Sequence, residues 1–280
     1  MIRRHLLPHC YTADDELQQL GSAHQPVLGP VIRCLVWNIL KAKRPRWSSD
    51  FQELMAGKDL ALLQEAVFNA PSDGLFTGND GVSWIMARSF RHPRTHVEHG
   101  VKTGCVVAPL EQHFYLSPHS EPVSQTQKLL LTTLYPLEGE DECLLVLNMH
   151  AINFVSVHKY IEQLDQIRAA LEPHSGPVIL AGDFNTWNPA RLGHFQQVAG
   201  NAGLTEAVMQ RQSRLAHMNQ HLDHVFFRGL ELRSVESLNR YQSSDHAPIT
   251  ATFERVRTDP HSGGSGGLPS TIQVEPGDST

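Results

Sequence analysis

Strand-length apolar runs that each meet an acid, an amide or a histidine at one end are the feature that most limits how this chain folds. Val31–Trp37 (VIRCLVW) runs into Asn38, Leu60–Gln64 (LALLQ) into Glu65, and Cys143–Met149 (CLLVLNM) into His150. Pro177–Ala181 (PVILA) leads through Gly182 to Asp183 and Asn185, and Leu222–Phe227 carries Asp223 near its start. Ser244-Asp245-His246-Ala247-Pro248 precedes Ile249–Phe253. Further runs lie at Val82–Ala87, Cys105–Pro109 and Leu129–Tyr135. Runs this apolar read as strands covered on both faces.

Helical patterns are fewer. Asp50–Gly57 follows Ser48 and Ser49, either a suitable cap. Ser156–Leu171 spaces Tyr160, Ile161, Leu164, Ile167, Ala170 and Leu171 along one face. Arg191–Ala199 is a third candidate. Many strands with intervening helices predict an α+β sandwich, two packed sheets with helices outside. No linker interrupts residues 30–255, so one domain is expected over 29–256, after an N-terminal extension (1–28). From about Asp259 the sequence turns to Gly, Ser and Pro, which predicts a disordered tail over 257–280.

Composition narrows the partners. Net charge is -6 and the pI near 6.3, so no global basic footprint for nucleic acid exists, although a local patch is compatible with it. The cysteines, Cys10, Cys34, Cys105 and Cys143, are scattered without a CxxC pair and read as free thiols in a reducing compartment. The basic N-terminus lacks a long apolar segment, and no stretch approaches the ~18 apolar residues of a membrane span. A cytoplasmic monomer without integral membrane association is the expectation.

Carboxylates and amides are depleted in strands, and a buried carboxylate is costly unless paired or bound to a metal. Their recurrence at strand ends suggests one polar site at the rim of two sheets. Asp183 and Asn185 are two apart and would point the same way in extended backbone. Asp245 and His246 are adjacent, and a turn before Pro248 would aim both inward. Glu65, Asp245 and the amide of Asn38 are hard oxygen donors suited to Mg²⁺ or Mn²⁺. No Cys/His cluster has zinc spacing.

Trp37-Asn38, Gln64-Glu65, Asn148-Met149-His150, Gly182-Asp183-Phe184-Asn185, Leu222-Asp223-His224-Val225 and Ser244-Asp245-His246-Ala247-Pro248 together resemble the endonuclease/exonuclease/phosphatase superfamily. They stand in the family's order and span residues 31–253. NMHAINF (148–154), HSGPVILAGDFN (174–185) and LDHVFFRGL (222–230) look closest to its small bacterial YafD-like branch. The resemblance implies a four-layer αββα sandwich of mixed β-sheets with the site at one edge. It implies that Glu65, assisted by Asn38 and Asp245, holds the divalent metal. Asp183 would deprotonate water and Asn185 would position the phosphate or the water. His246 would contact a phosphate oxygen with its ring fixed by Asp223, and His150 would donate toward the phosphate or the leaving group. Some family members carry an acid where this chain has Leu40, which puts a second metal ligand there in question.

The expected activity is hydrolysis of a phosphodiester with Mg²⁺ or Mn²⁺, DNA or RNA being one substrate class. Lipid headgroups, inositol phosphates or other small phosphoesters are the alternative, and a non-catalytic binding protein of the same fold is a third reading. Two basic segments, Lys41–Trp47 and Arg88–His99, would lie beside a phosphate-rich substrate or be solvated loops. Trp47 would stack a base, Asn153 and Trp187 would line the cleft or pack, and Lys102 would face the cleft or sit in a turn. His224 should face away from Asp223, because neighbours on a strand alternate.

Overall fold

The computed structural model describes residues 7–12, 15, 17–77, 81–139, 142–209 and 222–256. In order, the strands are β1 (His9–Cys10), β2 (Gln18–Gly21), β3 (Val31–Asn38), β4 (Leu60–Phe68), β5 (Ser83–Arg91), β6 (Glu98–Cys105) and β7 (Glu111–Leu116). After them come β8 (Leu129–Pro136), β9 (Cys143–His150), β10 (Val178–Asp183), β11 (Thr205–Glu206), β12 (Asp223–Arg228), β13 (Leu230–Ser237) and β14 (Ile249–Arg255). The helices are α1 (Trp47–Met55), the single turn α2 (Gly74–Thr77), α3 (Val157–Leu171) and α4 (Pro189–Asn201). An 8-stranded sheet runs β1-β5-β6-β4-β3-β14-β13, with β2 also on β5, and a 6-stranded sheet runs β11-β12-β10-β9-β8-β7. Both are mixed: β3 pairs parallel with β4 and β9 with β10, and the remaining pairs are antiparallel.

Alternation along the central strands builds the layers. On β10, Ile179 and Ala181 enter the core between the sheets, while Val178 and Leu180 face α3 and α4. On β9, Leu144 and Val146 take the inter-sheet face, and Leu145, Leu147 and Met149 take the helix face. Helix α1 covers the outside of the larger sheet, where Trp47 stacks on Phe51 and Trp37. Asn188 caps α4 by accepting a bond from the Arg191 amide. The two-sheet α+β sandwich expected from the sequence is therefore the observed fold.

Local differences have physical causes. Of residues 105–109, read as a strand, Cys105 ends β6 and the rest lie beyond it. Glycine at 100 and 104 hid that strand: a Cβ on Gly100 would stand 1.8 Å from the Ala87 carbonyl oxygen, so only glycine lets β5 and β6 approach there. The basic segment 88–99 is largely the facing ends of β5 and β6, with the chain reversing between Arg91 and Glu98. Strands β7 and β13 lie at sheet edges and are at least half polar, which is why no apolar run marked them. Described residues of the N-terminal extension supply β1 and β2, both paired with β5. The tail 257–280 lies outside the described residues, as does most of the basic N-terminal segment.

Candidate active site

The same alternation places the polar residues. Asp183 continues the face of Ile179 and Ala181, His150 that of Leu144 and Val146, and Asp223 that of Val225, so each projects between the sheets where its strand starts or stops. Asn38 ends β3 and reaches across, its Nδ2 donating to Asp183 Oδ2 at 3.0 Å. Glu65 has the opposite parity: Gln64 is the inter-sheet residue, donating to Asn148 Oδ1 at 2.8 Å. A bulge between Leu63 and Ala66 adds a residue opposite β6 and holds Glu65 at φ 48°, which turns its carboxylate inward. Gly182, at φ 144°, passes so close to β9 that a Cβ would lie 2.0 Å from the Met149 carbonyl oxygen.

Asn38, Glu65, His150, Asp183, Asn185, Asp245 and His246 all line one cavity of about 340 Å³, and Asp223 stands behind His246. The residues expected to carry the catalysis and the metal are thus at or directly behind one cavity. The route to Asn185 differs from the expectation. The chain leaves β10 after Asp183, and Asn185 takes φ 49° rather than an extended conformation. Its backbone N–H donates to Asp183 Oδ1 at 3.0 Å, an Asx turn, and its Nδ2 donates to the Ala151 carbonyl at 2.9 Å.

Asp245 and His246 are aimed by a frame that the sequence did not reveal. Trp37 Nε1 donates to the His246 carbonyl at 3.0 Å, Ser244 Oγ to the Asn38 carbonyl at 2.6 Å, and Arg44 to the Ser244 carbonyl at 2.7 Å. His224 turns to the other side of its strand, between Glu206 at 2.7 Å and Thr186 at 2.8 Å, as alternation predicts.

The two cavity histidines are electrostatic opposites. His246 Nδ1 lies 2.7 Å from Asp223 Oδ2, and its Nε2 is 3.9 Å from Asp183 Oδ2. Burial disfavours charge on this ring, but Asp223, Asp183 and Asp245 outweigh it and lift the imidazole to about 10. His150 Nε2 sits 3.6 Å from Asp183 Oδ2. There burial, reinforced by Lys128, His246 and Lys41, drives the pKa well below its ordinary value and leaves the ring neutral. Burial and the Asp223 carboxylate push Asp183 up to about 7, against the pull of His246, the Asn185 amide and Asn38. Burial opposes ionisation of Glu65, yet Lys41, whose Nζ is 3.1 Å away, with Lys128 and His246, holds its carboxyl below the usual range.

Two groups of atoms have the chemistry to hold a cation. Ligand atoms of Asp183, Asp223 and His246 lie within 4.8 Å of one another. The Asp223–His246 hydrogen bond and the amide contacts to both Asp183 oxygens commit that group to positioning a proton. Glu65, Asp245 and Asn38 are the other set, two carboxylates and an amide without sulfur, lining the same cavity. An ionised Glu65 re-aimed by a bulge fits a hard divalent cation.

Sequence reasoning missed Lys128, Glu121 and Phe154, which also line the cavity, as does His99 at the end of the second basic segment. Lys128 directly precedes β8, a polar residue at the end of an apolar run, so the signal that found Asp223 was present there too. Two other expectations are corrected, and a third holds in part. Trp47 is buried among Trp37, Phe51 and Phe76 and presents no face to a base. Lys102 lies fully buried in β6, over the Phe76 ring at 3.7 Å, with its Nζ donating to the Val67 carbonyl at 2.6 Å. Of the first basic segment, Lys41 reaches the cavity, whereas Arg44 braces the segment carrying Asp245 and His246, and Arg46 is exposed beside Asp50.

Comparison with known proteins agrees with the two-sheet fold. The profile of the Endonuclease/Exonuclease/phosphatase family matches residues 35–246. A UPF0294 protein of Vibrio vulnificus (strain YJ016), from the YafD-like group, is 34% identical over 240 residues, covering 79% of this chain and 76% of the relative. An endonuclease/exonuclease/phosphatase structure from Beutenbergia cavernae superposes with TM-score 0.61 at 17% identity, over 81% of this chain and 72% of that one. The mannosyl-6-phosphatase of Bacteroides thetaiotaomicron gives TM-score 0.61 at 11% identity, over 79% and 99%.

Proposed function

This chain belongs to the endonuclease/exonuclease/phosphatase family, whose members generally hydrolyse phosphoester bonds, and from that premise we propose that it is a divalent-metal-dependent phosphodiesterase using water activated by Asp183. The observation that carries the reading is the convergence of Asp183, His150 and His246 with the oxygen donors Asn38, Glu65 and Asp245 at one cavity. A bound Mg²⁺ or Mn²⁺ would supply charge neutralisation at a phosphoryl oxygen. Glu65, Asp245 and Asn38 would hold it.

The chain's own groups do the rest. Hydrogen bonds from the Asn185 amide and Asn38 fix both Asp183 oxygens, so the carboxylate is oriented before water arrives. A base near pKa 7 takes a proton from water efficiently at neutral pH, and such a base adds roughly 10²–10⁴-fold. The His246 imidazolium, held by Asp223, presents Nε2 to a phosphate oxygen as charge rearranges in the transition state. Neutral His150 donates a hydrogen bond without adding further positive charge. Lys41 and Lys128 raise the potential at the same cavity.

A second reading keeps the mechanism and makes the substrate a small phosphoester, such as an inositol phosphate or a lipid headgroup. A cavity of about 340 Å³ and the net charge of -6 favour small substrates over duplex nucleic acid. Among the described residues no helix is long and apolar enough to cross a membrane. A cytoplasmic, monomeric enzyme is proposed, since four unpaired cysteines suit a reducing compartment. The decisive assay sets purified protein with Mg²⁺ or Mn²⁺ against DNA, RNA, a generic phosphodiester and inositol phosphates, beside Asp183→Ala and His246→Ala. Activity that neither substitution lowers by at least roughly 10²-fold does not come from this site.

A further inference from the structure

One cavity residue has no part in the chemistry above and is held at a conformational cost. Phe154 lines the cavity, yet it is 71% exposed and its backbone stands at φ 54°. A bulky residue at positive φ is an outlier, and strain of this kind persists only where surrounding contacts impose it. The contacts are visible. Asn153 Oδ1 accepts from the Phe154 amide at 2.8 Å and from Trp187 Nε1 at 2.9 Å, so one amide oxygen fixes both aromatic residues. Asn153 is itself anchored, its amide donating to Glu121 Oε1 at 3.0 Å. Trp187 is also more than half exposed. Packing explains neither ring, because folding buries most of neither.

We infer that Phe154, set by the Asn153–Trp187 clamp, is the stacking platform for the organic part of the substrate, and that the substrate is a small phosphoester bearing a nucleobase. This rests on the phosphoesterase reading and deepens it. With the phosphate against His246 and Lys41, the rest of a small ester extends into a cavity whose mouth carries Phe154. Flat rings stack on such a face with little dependence on base identity. An acyl chain is the poorer occupant, because Ser89, Ser124, Thr126 and Lys128 make much of the remaining wall polar.

The test separates strain from recognition. Asparagine tolerates the left-handed region, so Phe154→Asn should keep or raise thermal stability while removing the ring. Calorimetric titration with Mg²⁺ present compares adenosine 5′-monophosphate with ribose 5-phosphate, in which a hydroxyl replaces the base at C1′. Wild-type protein should bind the nucleotide about tenfold more tightly, a ratio within the range of base–aromatic stacking. Phe154→Asn should bring the two ligands to equal affinity, and Phe154→Trp should restore the preference. Equal affinities in the wild type, or a preference that survives in Phe154→Asn, would overturn the inference. So would Phe154-dependent binding to phosphatidylglycerol vesicles in place of the nucleotide. Failure of the phosphoesterase reading looks different: no phosphoester is hydrolysed in an Asp183-dependent way, whatever the base preference.

Discussion

Strands β9 and β10 are mostly apolar along their length and polar where they stop, and the two regions obey different rules. Between the sheets, Ile179, Ala181 and Val146 meet other apolar side chains, and the polar pair Gln64 and Asn148 bond to each other. A few residues on, the same inter-sheet face carries Asp183 and His150, buried beside Asp223 and His246. The interior gains stability from each burial. The rim spends some of that stability on like charges held close and on positive φ at Glu65, Asn185 and Phe154. Sites of this kind are expected to trade stability for preorganised chemistry.

The sharpest way to break the comparison is Asp183→Asn. Hydrolysis should fall by about 10²–10⁴-fold, while the melting temperature of the metal-free protein should rise, because relief of the repulsion with Asp223 and of the burial of a charge outweighs the loss of one of the two hydrogen bonds that Asp183 accepts, from the Asn185 amide and from Asn38. A lower melting temperature would mean that the rim is stabilising after all. The converse substitution is Leu147→Ala on β9, a fully buried side chain facing α3. Urea unfolding should show a loss of about 2–5 kcal/mol, with kcat of the folded fraction little changed.

The histidine pair sharpens it further through pH. Asp183 must be ionised to act, so the rate should rise through about 7, and it should fall as His246 loses its proton through about 10. His246→Ala should erase the alkaline limb. A wild-type profile flat on the acid side would remove Asp183 as the base. The smallest effects belong to exposed charge. Arg46→Ala should change stability by no more than about 0.5 kcal/mol and leave substrate affinity unaltered. Lys41→Met, at the cavity, should weaken binding of the phosphate group severalfold in the same titration.

The sequence by itself determined the buried strands and the residues at their ends. Apolar runs and the parity of alternation are local properties, and they place Asn38, His150, Asp183 and Asp223 on one face without knowledge of which strands are neighbours. Sequence order and motif similarity likewise indicated the two-sheet sandwich. Edge strands β7 and β13 were invisible because a half-solvated strand needs no apolar run, and β6 because its glycines answer to a neighbouring backbone. Tertiary structure alone decided the rest. Glu65 reaches the cavity only because a bulge against β6 reverses its parity, and Asp245 and His246 are aimed by Trp37, Ser244 and Arg44. Trp47 and Lys102, cations and rings suited by type to a substrate, are instead in the interior. Whether a side chain serves chemistry or packing depends on which distant strand it faces, and only the closed fold sets that distance.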